Sequence, residues 1–143
     1  MQKGKKLSQN FENLDTWKKA MELCLFCYEL TKKFPLEEKF GLTNQLRRAG
    51  VSAPSNIAEG YSRKSAKEVC YFIEIAIGSV YEMMTQISIA YSLHCISKEE
   101  KEKFYNLASE VISLCGGFIK YKKGNHNAPS VPKPKSGVRL PKL

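Results

Sequence analysis

The chain has 143 residues, 43% of them hydrophobic and 26% charged, which suits one domain with a packed core and argues against a chain that is disordered throughout. No stretch of about 18 apolar residues is present, and the basic opening MQKGKKLSQN lacks the apolar run of a signal peptide, so neither a membrane span nor secretion by that route is expected. The five cysteines are odd in number, which speaks against a disulfide framework and for a reducing cytoplasm.

The formal net charge is +9 and it is unevenly placed. Residues 1–10 and 120–143 together carry +10 and no acid, while residues 11–119 sum to −1. A nearly neutral body with two basic ends suits a polyanionic partner, either nucleic acid or an anionic membrane surface.

The first helix is expected from Asp15, read as its N-cap, to about Lys33. Trp17, Met21, Cys24, Tyr28 and Thr31 recur at spacings of four and three and so share one face. Pro35 ends the element by excluding the residue before it from the α region.

In the second element Leu42, Leu46, Ala49, Ala53 and Ile57 keep helical spacing, yet Pro54 falls inside the pattern. Proline cannot donate to the carbonyl of Gly50 and its ring crowds that carbonyl. Two short helices and one long kinked helix are the alternatives; the in-phase spacing favours the kinked helix, with Gly60 as its stop.

The third helix opens with Ser65-Ala66-Lys67-Glu68, a capping-box pattern, and is expected to reach about Leu93. Val69, Phe72, Ala76, Val80, Met83, Ile87 and Ala90 form its stripe, and Tyr71, Ile73, Ile75 and Ile77 add apolar character elsewhere. A helix apolar nearly all round must bury more than one face, which predicts a second subunit against it.

A second box, Ser97-Lys98-Glu99-Glu100, opens the fourth helix. Its stripe is Phe104, Leu107, Val111, Leu114 and Phe118, and it is expected to pass Gly116-Gly117 and end near Lys122. Beyond it, GNHNAPSVPKPKSGVRLPKL reads as a flexible tail with extended stretches around Pro132 and Pro134. The predicted organisation is a basic extension over residues 1–10, an all-α antiparallel four-helix bundle over 11–123, and a basic proline-containing tail over 124–143.

Catalytic machinery is not legible. Cys24-x-x-Cys27 lacks the βαβ context of a thioredoxin motif and a second close pair for zinc, so small core thiols are the expected role. A di-iron bundle needs Glu-x-x-His on two helices; only His94 and His126 exist, neither three residues after a glutamate. His94 reads as a helix-end residue. No enzyme activity, cofactor or metal is expected.

The polar residues of the middle helices carry more information. Gln45, Asn56, Glu59 and Glu82 lie among apolar neighbours, and an arginine, Arg47 or Arg48, is expected to pair with Glu82 or Glu59 and specify helix register or a subunit contact; the competing reading is a solvated face. Arg47, Arg48, Arg63, Lys64 and Lys67 form a candidate nucleic-acid surface around the turn between the second and third helices. Lys120, Lys122, Lys123, Lys133, Lys135 and Arg139 extend it into the tail, which reads equally well as a solubilising extension.

The run Phe34-Pro35 … Phe40-Gly41-Leu42 … Gln45-Leu46-Arg47-Arg48-Ala49 … Ser52-Ala53-Pro54-Ser55-Asn56-Ile57-Ala58-Glu59-Gly60, followed by Ile75-Ala76-Ile77-Gly78-Ser79 … Glu82, resembles the four-helix bundle family of 23S rRNA intervening-sequence proteins over about residues 11–120. Within that pattern Gly50 stands where a small alanine is expected and Ala53 where a larger aliphatic is. The resemblance implies an antiparallel four-helix protomer assembling into a homopentameric ring or barrel. It also brings in the related accessory variability determinants of diversity-generating retroelements, basic pentamers that bind a reverse transcriptase and its template RNA. The expected function is therefore that of a non-enzymatic, oligomeric RNA-binding accessory protein with RNA, further copies of itself and a reverse transcriptase as partners. A protein–protein interaction hub without nucleic-acid affinity is the alternative.

Overall fold

The computed structural model describes residues 10–124. Four helices account for most of them: α1 (Asp15–Thr31), α2 (Leu42–Tyr61), α3 (Ala66–Ser92) and α4 (Lys98–Lys122), with short 3-10 turns at Asn10–Asn13 and Leu36–Glu38. No strand occurs among the described residues. Each helix runs antiparallel to the next, and each packs on two neighbours, α1 on α2 and α4, α3 on α2 and α4. This is the four-helix bundle expected from four amphipathic segments on short connections.

The termini of the helices follow from local chemistry, with two departures from expectation. Asp15 is not the N-cap of α1. Leu14 holds that position in extended geometry without a side-chain hydrogen bond, and Asp15 is the first helical residue, where its carboxylate still faces the positive end of the helix dipole. Ser97 and Glu100 form the full reciprocal box at α4, whereas at α3 Ser65 accepts from the Glu68 N–H and only that half of the box is present.

Gly60 does not stop α2, which continues to Tyr61. Its glycine is needed for approach instead: a Cβ there would lie 3.1 Å from Phe72 Cβ and 3.3 Å from the Val69 carbonyl oxygen. The end of α2 and the start of α3 therefore touch backbone to backbone, which is why a four-residue turn can join them.

α2 is one helix through Pro54. Around the proline, side chains supply donors to carbonyls of the preceding turn: Ser55 Oγ donates to the Val51 oxygen at 2.7 Å and Asn56 Nδ2 to the Ser52 oxygen at 2.8 Å. The carbonyl that loses its ladder partner at Pro54 is that of Gly50; these side-chain bonds go to the two carbonyls after it.

α3 ends in a Schellman arrangement. The Cys95 N–H donates to the Ala90 oxygen at 2.9 Å and the His94 N–H to the Tyr91 oxygen at 3.0 Å, with His94 in the left-handed region at φ 63°. His94 is thus the helix-end residue read from its position.

The core lies where the four helices meet, with Leu23, Leu46, Ile57, Ile73, Met83, Ile87, Phe104 and Val111 fully buried. In α1 the buried residues are Thr16, Ala20, Leu23, Cys24, Cys27, Leu30 and Thr31, so Cys24 and Thr31 of the expected stripe face the core, while Trp17 and Met21 are half-buried and Tyr28 is exposed; the face is turned one step towards Ala20, Leu23, Cys27 and Leu30. Two adjacent rows on a helix obey the same three-and-four spacing, so periodicity alone cannot choose between them. The expected stripe of α3 does face the core, half-buried Phe72 flanking it, and Ile73 joins it. Tyr71, Ile75, Tyr81 and Ile89 remain on the outer surface, at 59%, 36%, 43% and 45% exposure.

Candidate nucleic-acid interface

The antiparallel order fixes which residues share an end of the bundle. The start of α1, the α2–α3 turn and the end of α4 lie together at one end. The α1–α2 connection and the α3–α4 turn lie at the other, where a salt bridge from Lys33 to Glu100 joins α1 to α4.

This topology divides the expected basic surface in two. Arg63, Lys64 and Lys67 of the α2–α3 turn fall at the same end as Lys120, Lys122 and Lys123 of α4. Residue 10 and Gly124 are at that end too, so both basic flanks of the sequence, 1–9 and 125–143, adjoin it. Lys133, Lys135 and Arg139 lie outside the described residues. Arg47 and Arg48 sit about 22 Å further along α2, at 1.5 Å per residue, and do not belong to this cluster.

At this end, the basal end of the bundle, two of the cations rest on aromatic rings. Arg63 stacks over Phe72 with its guanidinium carbon 4.8 Å from the ring centre, and it also pairs with Glu59 one turn earlier. Lys122 lies 5.8 Å from the centres of both the Phe118 and Tyr121 rings. Lys64, Lys67, Lys120 and Lys123 are exposed. Lys120 and Lys122 also face the negative end of the α4 dipole, which holds cations there in any case.

Arg47 has a different employment. Its Nε donates to Thr31 Oγ1 at 2.9 Å, and its guanidinium lies 4.8 Å over the Tyr28 ring. The expected pairing of Arg47 or Arg48 with Glu82 or Glu59 is not formed. Glu59 is taken by Arg63, Glu82 Oε1 accepts from Gln86 Nε2 at 3.3 Å, and Arg48 is exposed with no ion pair among the described residues. The arginine side chain reaches α1 more readily than α3 because Thr31, at the C-terminal end of α1, presents an acceptor beside it. The Thr31 hydroxyl is itself placed by bonds to the Cys27 and Tyr28 carbonyls.

Of the four polar residues expected to specify register, Asn56 is half-buried and bonds within its own helix, feeding a chain that crosses to α3 at Ser52 and Ser79. Its Nδ2 donates to Ser52 Oγ at 3.0 Å, Ser52 Oγ meets Ser79 Oγ at 2.8 Å, and Ser79 Oγ donates to the Ile75 oxygen at 3.1 Å. The donors run in one direction, Asn56 to Ser52 to Ser79 to Ile75, so every hydroxyl is used once each way. Gln45, Glu59 and Glu82 are exposed. Ser52 carried no sequence signal beyond its place on the helix, because a serine facing another helix looks like any surface serine until the pairing is known.

No helix among the described residues is long and apolar enough to cross a membrane. No curated protein matches the chain. Among solved structures, a protein of unknown function from the S23 ribosomal protein family of Bacteroides thetaiotaomicron superposes with a TM-score of 0.68 at 23% identity, over 73% of this chain and 98% of that one. That likeness concerns the fold. The family model described as 23S rRNA-intervening sequence protein matches residues 12–117, and it covers all four helices: the chain belongs to the 23S rRNA-intervening sequence protein family.

Proposed function

We propose that this protein is a non-enzymatic accessory that binds structured RNA through the basal end of its bundle. The observation that supports this most is the gathering of Arg63, Lys64, Lys67, Lys120, Lys122 and Lys123 at the end where both basic flanks adjoin. Phosphate contacts of this kind are electrostatic and independent of sequence, and RNA duplexes are recognised largely by shape. Aromatic rings under Arg63 and Lys122 support these cations at the surface.

The same reading has several copies acting together, as the resemblance to pentameric bundles implies. The outward Tyr71, Ile75, Tyr81 and Ile89 of α3 supply apolar surface for self-association. A ring multiplies weak phosphate contacts by avidity. A narrower form, in which the RNA is the template of a retroelement reverse transcriptase, requires stable co-purification with such an enzyme.

The test is binding of a fluorescent hairpin RNA to the full chain and to the variant Lys120→Glu/Lys122→Glu/Lys123→Glu. Loss of at least tenfold in affinity with an unchanged helical spectrum is expected. Absence of binding by the full chain at low salt would move the assignment to a protein-interaction hub.

A further inference from the structure

The outer face of α3 carries an apolar row that no other described element covers. Tyr71, Ile75, Gly78, Tyr81 and Ile89 share that face at helical spacing and are all exposed. Gly78 lies near its middle. A Cβ placed there would meet no atom within 4 Å, and its backbone is not in the left-handed region. Neither packing within the bundle nor backbone geometry calls for glycine, the poorest helix former after proline. It leaves a notch in the row, open to a chain approaching from outside.

The face is also negative. Residues 68–92 hold Glu68, Glu74 and Glu82 and no lysine or arginine. Glu74 and Glu82 are exposed beside the apolar row, and neither forms an ion pair among the described residues. The complement lies in the chain's own tail. Residues 125–143 hold four cations and no acid, and the last six set Val138, Leu140 and Leu143 among Arg139 and Lys142.

We propose that residues 138–143 dock along the outer face of α3 in the RNA-free protein, leucines beside the Gly78 notch and cations against Glu74 and Glu82. The reach is ample. Gly124 stands at the basal end, where α3 begins at Ala66 beside α4. Gly78 is about 18 Å along α3 from there, at 1.5 Å per residue. The 14 residues from Gly124 to Val138 span about 43 Å as an extended proline-containing chain. Proline-rich segments dock on aromatic surfaces, and arginine stacks on tyrosine rings such as those of Tyr71 and Tyr81. The tether holds the segment at an effective concentration on the order of millimolar, so a contact too weak for a separate peptide suffices. A second α3 laid on the first would set glutamate against glutamate, and the tail does not.

Docking makes the tail a strap. It withholds Arg139 and Lys142 from RNA and covers the surface offered above for self-association. RNA that takes the tail therefore frees the face, which couples binding to assembly. The docking rests on this face and this tail alone; its release by RNA rests on the RNA reading.

The experiment is zero-length carbodiimide cross-linking of the full chain, as an equal mixture of unlabelled and heavy-isotope protein. Peptide mass spectrometry is the readout and circular dichroism the fold control. An amide between Lys142 and Glu74 or Glu82 is expected within single chains. Leu140→Ser/Leu143→Ser keeps every charge and alters no residue of the bundle, and Gly78→Gln fills the notch at a position without a neighbour. Each is expected to lower the yield at least about fivefold at full helicity. A saturating hairpin RNA is expected to do the same. Absence of the link in the RNA-free chain overturns the docking, whatever the RNA affinity. So does a link found only between unlabelled and heavy chains, which would make a second copy the source. A link that both variants leave undiminished also overturns it, because charge attraction alone would then explain the amide. A link that bound RNA leaves undiminished overturns the competition.

Discussion

Arg47 of α2 reaches across to α1 and donates through Nε to Thr31 Oγ1 at 2.9 Å, while its guanidinium covers the Tyr28 ring. A half-buried hydrogen bond from a charged donor and a cation–π contact each contribute about 1 kcal/mol. Arg47→Ala is therefore expected to lower the unfolding free energy by about 1–2 kcal/mol in urea titrations. Because Arg47 lies away from the basal end, the same variant is expected to keep its RNA affinity within about twofold. A large loss of RNA binding without loss of stability would reverse the two roles.

The two buried glycines of α2 are expected to respond oppositely to alanine. A Cβ on Gly60 would meet Phe72 Cβ and the Val69 carbonyl oxygen at 3.1 and 3.3 Å, tighter than ordinary contact, so in Gly60→Ala α3 must give by a few tenths of an ångström, at an expected cost of about 1 kcal/mol or more. Gly50 has room at ordinary contact distance, and alanine is the better helix former by about 1 kcal/mol. Gly50→Ala is expected to be neutral or stabilising. Thermal unfolding of the pair checks both, and equal effects would mean that the α2–α3 contact at Gly60 is looser than described.

His94 occupies a left-handed position that glycine adopts freely. Its N–H already serves the Schellman bond to Tyr91, and the backbone bonds do not depend on the imidazole. His94→Gly is expected to raise stability by about 1 kcal/mol, as a higher urea midpoint at unchanged m-value. A lower midpoint would show that the imidazole makes a contact worth more than the strain it brings.

Glu100 joins two functions, bonding the Ser97 N–H in the capping box and pairing with Lys33 across the α1–α4 seam. The Lys33 ammonium, ahead of the Ser97 bonds, holds its carboxyl below the ordinary value of 4.5. A carboxyl that is more acidic in the folded state stabilises the fold above its unfolded pKa, and this is lost as pH falls through the folded value. Glu100→Gln is expected to destabilise at pH 7 by less than about 1 kcal/mol, since the pair is largely exposed. The difference from wild type should close once the pH is well below 4.5. A gap that persists there would assign the effect to capping geometry alone.

The elements of the fold were legible because apolar spacing, two Ser-x-x-Glu openings and Pro35 all mark helices, and the phase kept across Pro54 distinguished one helix from two. The face of α1 was legible only in part: Cys24 and Thr31 of the expected stripe are buried, but Trp17, Met21 and Tyr28 are not, since the neighbouring row Ala20-Leu23-Cys27 obeys the same periodicity. Gly60 looked like a stop because glycine ends helices and also admits close packing, and only the neighbour Phe72 tells these apart. The basic residues were recognised one by one, but their division was not. Arg47 and Arg63 lie in one stretch of sequence, while Arg63 and Lys122 share an end only because α4 returns to the basal end. Pairing between helices is where sequence reading failed: Thr31 was expected on a hydrophobic stripe, and it is the acceptor that draws Arg47 away from Glu82.

The measurement that bears most directly on the functional account is the salt dependence of binding to a structured RNA, comparing the full chain with a chain ending at Lys123. The basal-end account predicts tight binding by the full chain that falls steeply with salt, and a slope that becomes shallower on truncation by up to about 3, as four cationic residues of the tail are removed. Weak binding with no salt dependence in either form would contradict it.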